Sequence, residues 1–478
     1  MDYLRILFLF ITPFFLLGCV PAIQKASLIQ ERTVTNDLEK NRSLFEGNDE
    51  YLVREWWENF GDGQLDSLIE EALSSSPSLL TLEARYAQAN SIIESVQSRN
   101  LPHLSVGASV VRERFSENHI FPAPLGGSTN NQYQPQLSFN YDFDFWNARS
   151  SRILAAKNTA LAQRAAIEAT KIALSSAICE TYLSWNYDEQ KLNLLSTIEQ
   201  TTHEEIKIVE KQYKLGLIDA MEINNKTNSL SQIKQRREEL KRSIEGKKEA
   251  LCVLCGFLPS RVDTLKIPYI HHGFKLPIPK EIMLNFISHR PDVAVAKYTA
   301  LSKSHTIEES KAQFYPNISL SGLIGFTSFS WTKLIDHSSY TPSAGIAFSL
   351  PLLDWGLRNG NLQNSVSDYN ASVYEYNQAL IKAANEVVVL LKQSKLLESQ
   401  RQFHDEEIMA KSANESIARK KFLQGLSNKL PYLSAQKITQ ETQIKTLSLN
   451  EIKTELQINL IKALGGGYTD NEDTNASR

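Results

Sequence analysis

Two copies of one plan run through this chain. Pro77 and Pro291 lie 291 − 77 = 214 residues apart, and Pro102 in Asn-Leu-Pro-His matches Pro316 in Phe-Tyr-Pro-Asn at 316 − 102 = 214. Farther along the spacing changes once and then holds. Trp146/Trp355, Arg149/Arg358, Gly216/Gly425 and Gly256/Gly465 are each separated by 209. A loop insertion of 214 − 209 = 5 residues in the first copy, between Pro102 and Trp146, explains the shift. A repeat this long is a whole folding unit, so the 478 residues divide into two related halves rather than into the three domains that length alone suggests. The expected divisions are a leader at 1–18, a first copy at 19–258, a linker at 259–280, a second copy at 281–467 and a polar tail at 468–478. Pro259, Pro268, Pro277 and Pro279 mark the linker.

Each copy carries a pair of short alternating segments between long helical ones. In the first copy Leu104, Val106, Ala108 and Val110 point one way, and Ser105, Gly107 and Ser109 the other. Leu137, Phe139, Tyr141, Phe143 and Phe145 likewise alternate with Ser138, Asn140, Asp142 and Asp144. The second copy repeats this with Ile318 and Leu320 against Ser319 and Ser321, and with Ile346, Phe348 and Leu350 against Ala347 and Ser349. Strands are expected near 103–115, 133–146, 317–329 and 341–351, with the third losing phase near Gly322. Soluble sheets alternate too, but here one face carries Asp and Asn and the other a ladder of aromatics, as in a membrane barrel. Four strands cannot close a barrel when the smallest have about eight. Either several chains share one barrel or the strands form a soluble sheet.

The helical segments, Ala148 to about Leu215 and Leu357 to about Leu423, contain no proline. Unbroken, each would reach ~100 Å at 1.5 Å per residue. Val366, Tyr369, Val373, Tyr376, Leu380, Ala383, Val387 and Leu390 follow the three-four spacing of a coiled-coil seam, and Ile153, Ala160, Ile167 and Leu174 keep the seven-residue step in the first copy. A purely structural coiled coil would show the same period. It would not explain two membrane-like hairpins inserted at matching points.

At the amino terminus, Ile6 to Leu17 is an apolar run too short to span a bilayer, followed by Gly18 and Cys19. That pattern is a signal peptide. Its end, Leu16-Leu17-Gly18-Cys19, resembles the bacterial lipobox, in which the cysteine becomes the acylated first residue after cleavage. Val20 follows where inner-membrane lipoproteins carry an acidic residue, so this resemblance implies an outer-membrane destination. An ordinary secretory signal with an incidental cysteine is the alternative.

Charge and chemistry exclude several classes. With 51 Lys+Arg against 54 Asp+Glu and no long basic run, no nucleic-acid surface is expected. Cys252 and Cys255 form a lone pair at helical spacing without a second pair or a nearby histidine, and read as small packing residues, as does Cys179. His271-His272 sits in the linker without a third ligand. No phosphate loop, serine elbow or metal-binding helix motif is present, so neither enzyme chemistry nor a cofactor or metal is implied.

Four further motifs lie in order along the chain. Arg290-Pro291-Asp292-Val293 places proline and an acid in a first helical turn. Phe314-Tyr315-Pro316-Asn317-Ile318-Ser319-Leu320 leads into the third strand, Leu350-Pro351-Leu352-Leu353-Asp354-Trp355-Gly356 leaves the fourth, and Ile461-Lys462-Ala463-Leu464-Gly465-Gly466-Gly467-Tyr468 closes the last helix. Together they resemble the outer-membrane factors of the TolC type, most closely the lipoprotein branch of the OprM and NodT kind. The resemblance covers nearly the whole mature chain. It implies a mostly α fold with a transmembrane β portion: a homotrimer whose twelve strands, four per chain, form one β-barrel continued by a long α-helical periplasmic barrel. It also implies an exit channel for a tripartite, RND-type efflux pump, passively conducting small molecules. Its partners would be a periplasmic adaptor (membrane fusion protein), an inner-membrane transporter and outer-membrane lipid. Export of polypeptides by a type I secretion system and a non-transport periplasmic coiled-coil scaffold are the competing readings.

The same resemblance assigns sites. Gly216 and Gly425 are expected at periplasmic helix-turn tips, where a tight turn needs positive φ. Leu430 falls on the constricting leucine of the periplasmic gate, and Ser434 on a position where the family has a ring aspartate. Three serines leave only weak dipoles where three carboxylates would hold cations. Glu222 falls on an acidic tip residue and is expected to pair with basic residues of a neighbouring helix, while Arg419, Lys420, Lys421, Lys429 and Lys437 add positive charge near the second tip or are solvated surface charges. Trp146 and Trp355 could anchor at the bilayer interface or pack against helices.

Overall fold

The computed structural model describes residues 24–26, 54–269, 286–287 and 289–469. Cys19, the 1–18 leader, His271-His272, Pro277, Pro279 and the tail from Asp470 onward lie outside the described residues. A 3₁₀ turn at Trp56–Phe60 is followed by α1 (Gly63–Ser75), α2 (Pro77–Ser98), β1 (His103–Arg114), β2 (Thr129–Asp142), α3 (Ala148–Lys214) and α4 (Ala220–Cys255). After a 3₁₀ turn at Pro259–Thr264 come α5 (Pro291–Ala312), β3 (Asn317–Phe326), β4 (Tyr340–Ser349), α6 (Leu357–Leu423) and α7 (Leu430–Ala463). No helix among the described residues is long and apolar enough to cross a membrane. The chain divides into two compact units, one built on 85–163 and 296–376, the other on 54–84, 164–295 and 377–469 as far as these are described.

The first unit holds the sheet. Its four strands form an antiparallel meander in the order β1-β2-β3-β4. Leu104 opposes Phe139, Phe139 opposes Gly322, and Gly322 opposes Ala344; one row along, Val106, Leu137, Ile324 and Pro342 line up in the same way. Cross-strand partners share a face, so the apolar residues of all four strands form one continuous surface. The third strand keeps its phase: its ladder to β4 runs unbroken from Asn317 to Phe326. Gly322 only removes a side chain from the apolar row, and Leu323 turns to the other face. The second strand, expected at 133–146, spans Thr129–Asp142 instead. Its polar beginning extends the backbone ladder to Arg114, which propensity does not reveal. Its far end is cut short because Asp144 turns to cap α3, accepting hydrogen bonds from the Arg149 and Ser150 amides at 3.1 and 2.9 Å. Asp354 does the same for α6, accepting from the Gly356 and Arg358 amides.

Beneath the sheet, Ile307, Leu362 and Val366 form a small core with Phe314 and Tyr369. The Arg152 guanidinium donates twice to Glu309 Oε1, tying α3 to α5.

The second unit is a layered helical body. The α1 positions Leu65, Leu68, Ile69 and Ala72 recur at helical spacing and are all buried. They pack with Trp56, Trp57 and Phe60 against Ile178, Tyr182 and Trp185 of α3, Leu251 and Cys255 of α4, and Ile458 and Ile461 of α7. Asp62 starts α1 by accepting from the Gln64 and Leu65 amides, and its other oxygen receives the Tyr182 hydroxyl at 2.8 Å. Along α6, Val366, Val373, Tyr376, Leu380, Ala383 and Val387 of the sequence-derived seam are buried; the seam then passes to Leu391 rather than Leu390.

Arg290 joins three helices. Its guanidinium donates to the Ala463 carbonyl at 2.7 Å, to Asp292 at 3.0 and 2.8 Å and to Glu386 at 2.9 Å. Partial desolvation alone would raise the Asp292 carboxyl, but the Arg290 hydrogen bonds and charge outweigh it and hold it below the usual carboxylate range. Gly465, at φ 88°, sits so close that a Cβ would lie 2.1 Å from the His289 carbonyl oxygen. Gly465→Ala is therefore expected to destabilise the helical body by roughly 3 kcal/mol through crowding and left-handed strain, read as a lower midpoint of helix melting in mild detergent. Because the Asp292 carboxyl is depressed in the folded state, its contribution is complete above the unfolded carboxylate range and lost as pH falls through the folded value. Asp292→Asn should flatten the acid limb of the stability profile below about pH 4, and a wild-type acid limb would show that Asp292 is not part of it.

Candidate functional site

Three features of the structure bear on function: the sheet surface, the junction where helices leave it, and the helix-turn tips at the other end of the long helices. On the sheet, β1 and β4 each have a ladder on one side only among the described residues, and every residue of both strands is exposed. At the junction, Phe145, Leu352, Leu353, Trp355 and Leu357 are exposed apolar groups, with Trp355 at 90 %. The two tryptophans differ. Trp146 stacks on Tyr315 at 4.7 Å and donates its indole N–H to the Pro316 carbonyl, whereas Trp355 projects freely from a backbone with φ 52°. An exposed apolar collar beside an apolar sheet face matches a bilayer interface.

At the tips, the two copies build the same turn. Gly216 takes φ 70° and Gly425 φ 72°. The Leu217 amide donates to Gln212 and the Leu426 amide to Lys421, and each glycine amide donates three residues back, which closes α3 and α6 alike. Asp219 then caps α4 through the Met221 and Glu222 amides, and Asn428 receives the Leu430 amide at 3.1 Å. Leu215, Leu217, Leu423 and Leu426 stand exposed around these turns.

Just above the tips lies a polar cluster that sequence reasoning missed. The Glu205 side chain on α3 is 0 % exposed and receives Lys226 Nζ of α4 at 2.9 Å. Its other oxygen accepts the Ser434 hydroxyl of α7 at 2.6 Å. Lys429 pairs with Glu204 at 2.5 Å, and Lys437 donates to Ser229 at 2.6 Å. Ser434 is therefore not a bare dipole; it holds a buried carboxylate. Glu222 is exposed, and two of the basic residues near the second tip, Lys429 and Lys437, have these other partners. Leu430 is half-buried at the start of α7. A signal for the cluster was present: Glu205, Lys226 and Ser434 lie 216 − 205 = 11, 226 − 216 = 10 and 434 − 425 = 9 residues from their tip glycines, hence at nearly one height in antiparallel helices.

The cysteines pack. Cys252 and Cys255 are buried free thiols, and burial pushes the Cys255 thiol up to about 12, far from a nucleophile's range.

A four-stranded sheet with one apolar and one polar face, continued by long paired helices, fits a component of an outer-membrane channel. Residues 68–256 and 285–466 match the family described as outer membrane efflux protein. The chain belongs to that family, and its place is the outer membrane. It is 24% identical over 473 residues to the multidrug resistance outer membrane protein MdtP of Escherichia coli O6:H1, covering 95% of this chain and 96% of that one. MdtQ of the same organism is also 24% identical, over 464 residues, 95% of this chain and 96% of the relative. Among solved structures, VceC of Vibrio cholerae superposes with a TM-score of 0.80 at 26% identity, covering 88% of this chain and 100% of that chain. The CmeC outer membrane channel of Campylobacter jejuni gives 0.81 at 20% identity, with 96% of each chain covered. The protein is thus an efflux channel of the outer membrane, a transport component.

Glu205→Ala would leave Lys226 and Ser434 without their shared partner. A local loss of roughly 2 kcal/mol is expected, discounted because Lys226 is partly exposed. Limited trypsin digestion should then cut faster at Lys211, Lys214 and Lys226 with the main helix melting unchanged; unchanged cleavage would show that the cluster does not hold the tip.

Proposed function

We propose that the protein is the passive exit duct of a tripartite, RND-type efflux pump, working as a homotrimer whose 3 × 4 = 12 strands close one barrel. The observation that carries this is that, among the described residues, β1 and β4 each have a ladder on one side only, on a sheet with a continuous apolar face. In hydrocarbon an open edge costs several kcal/mol per unsatisfied group, so each edge needs a strand from another copy. A second support lies on α6, where Leu396, Phe403 and Ile417 repeat at 7 and 14 residues and are exposed at 71, 70 and 52 %. That spacing is a seam left exposed among the described residues, suited to a helix of a neighbouring copy. The names of the relatives support small-molecule efflux over polypeptide export.

In this reading residues 1–18 are the leader, Cys19 carries the lipid anchor, and 19–258 and 281–467 are the two copies joined at 259–280 ahead of the 468–478 tail. The tips at Gly216 and Gly425 face a periplasmic adaptor, and an inner-membrane transporter supplies the energy and selects the cargo. No residue of the duct performs chemistry. Closure at rest combines apolar contact at Leu430 around the threefold axis with the Glu205–Lys226–Ser434 cluster inside each chain; Glu222 is an outlying acid that engages only across chains.

The reading is tested by mass in mild detergent and by planar-bilayer conductance. A trimer with a low resting conductance is the expected result, and a stable non-conducting monomer would refute it. Leu430→Ala should raise resting conductance severalfold. Ser434→Asp, which sets a second carboxylate against Glu205, should raise it more than Glu222→Gln does. If Leu430→Ala leaves the conductance unaltered, the constriction is elsewhere. The exported-substrate profile of a deletion strain separates drug efflux from protein secretion.

A further inference from the structure

The apolar face of the sheet is not even. Where β3 and β4 cross its middle, Gly322 and Ala344 oppose each other, and around them Leu104, Leu137, Phe139, Leu320, Ile324 and Pro342 stand up. The result is a groove of about 580 Å³, lined almost wholly by carbon. A Cβ on Gly322 would meet Phe139 only at an ordinary 3.8 Å, so packing inside the sheet does not demand the glycine. The missing side chain deepens the groove and leaves the ladder unchanged.

A second observation lies in the same unit. Gln24, Lys25 and Ala26 are fixed against α5 and α6, the two helices that lead into β3 and out of β4. Asn370 clasps the backbone there from both sides: its Oδ1 accepts the Ala26 amide at 2.7 Å and its Nδ2 donates to the Gln24 carbonyl at 3.4 Å. Lys25 pairs with Glu308 at 3.4 Å and lies over the Tyr369 ring. The clasp is therefore placed on the helices continuous with the hairpin that floors the groove.

Chain lengths connect the two. Cys19 is 24 − 19 = 5 residues from the clasp, a reach of at most ~17 Å. Asn370 is 370 − 357 = 13 residues below the start of α6, or ~20 Å along the helix. At full stretch Cys19 thus comes within about 3 Å of the start of α6. Gly322 is 322 − 317 = 5 residues inside β3 from that end, ~17 Å along a strand and ~13 Å in height at a barrel tilt near 40°. An acyl chain fills one leaflet, ~15 Å. Taking the start of α6 as level with the start of β3, the ~15 Å of an acyl chain is close to the ~3 + ~13 = ~16 Å between its root and the level of Gly322.

We propose that the groove over β3 and β4 is a binding site for an acyl chain, and that its occupant is the chain carried by Cys19 of the same protomer, aimed there by the Asn370 clasp. The proposal rests on the lipid-anchor reading of Cys19. The anchor then does more than hold a protein that the barrel already retains: it packs the lipid-facing wall of its own β3–β4 hairpin. The recognition is by shape and apolar surface alone, which suits a saturated acyl chain.

The test uses the intact protein in its own outer membrane. Cells are fed a sixteen-carbon fatty acid bearing a diazirine near its end and irradiated, and the protein is purified and digested for mass spectrometry. The expected result is a cross-linked pair joining the acylated Cys19 peptide to a peptide from 317–349. Gly322→Leu and, as an independent filling of the groove, Ala344→Leu should abolish this pair while acylation at Cys19 stays complete. Asn370→Ala, outside the groove, should scatter the cross-links over other strands. If Cys19 is acylated but its cross-links show no preference for 317–349, or if the 317–349 adducts carry only phospholipid, the groove is not the anchor's site. If Cys19 carries no fatty acid at all, the anchor reading itself fails and this inference with it.

Discussion

A backbone amide in hydrocarbon has no water to turn to, and from that constraint most of this protein follows. The sheet presents its aromatic and aliphatic rows on one face and serine, asparagine and glutamine on the other, so it suits a wall between lipid and water. Its meander bonds β2 to β1 from Thr129 to Asn140 and to β3 from Gln136 to Asp142, and among the described residues β1 and β4 each have a ladder on one side only. No rearrangement within a single chain removes the remaining need, because four strands are too few to curl closed. The helices must then lie outside the bilayer, which agrees with their composition: α3 and α6 carry charged and polar residues along most of their surface and bury only a stripe.

The duplicated plan turns one solution into two. The glycine turn that ends α3 at Gly216 recurs at Gly425, and the turn that ends α4 at Gly256 recurs at Gly465, each with the same backbone bonds three and five residues back. Because matching turns stand at matching heights, side chains counted from the tips face each other across different helices. That is how Glu205 comes to meet both Lys226 and Ser434. The copies also diverge where duplication leaves freedom. Gly465 is pressed against His289, whereas Gly256 meets Pro77, and only the second copy uses an arginine, Arg290, to tie its first helix to the end of its last.

Much of this was legible in the sequence because it depends on local rules. Period-two alternation, the absence of proline over sixty residues and glycine at the turns are read directly from residue order, and they located the strands, long helices and tips. Three things were not legible, each for a physical reason. The beginning of β2 is polar and pairs only because β1 continues beside it, so its Asn130 and Asn131 read as loop. Trp56 and Trp57 are core residues, but the helices they pack on come from far along the chain, and nothing in their own neighbourhood shows that surface. Glu205 lies in a helix rich in charge, where a buried carboxylate and a solvated one look the same until the partner helices are placed. Ser434 is the same case: read alone it is a weak dipole, while beside Glu205 it completes a buried hydrogen-bond network.

The distribution of buried apolar residues also bears on where a gate can move. The largest core gathers Trp56, Leu65, Ile178, Trp185, Leu251 and Ile461, well away from the tips. Toward the tips it thins to Leu195, Ile198 and Ile233, with Val209 and Leu433 beyond. On α6 the last buried apolar side chain is Leu397, so the final 423 − 397 = 26 residues of that helix bury none. What holds that stretch is polar or stacked: His404 to Thr446 at 2.9 Å, Glu407 beside Lys445, and Phe422 on Tyr432 across the turn. Apolar burial lost on separation is not recovered from water, whereas hydrogen bonds and exposed ion pairs are largely exchanged for solvent or for a partner's groups. The lower half of α6 is thus the part of the helical body that gives up least when it moves. α3 and α7 stay joined through Glu205 and Ser434, and α3 and α4 through Glu205 and Lys226. Any force applied at the tips therefore meets least apolar resistance along the lower half of α6, while the buried Glu205 carboxylate ties α3 to α4 and α7.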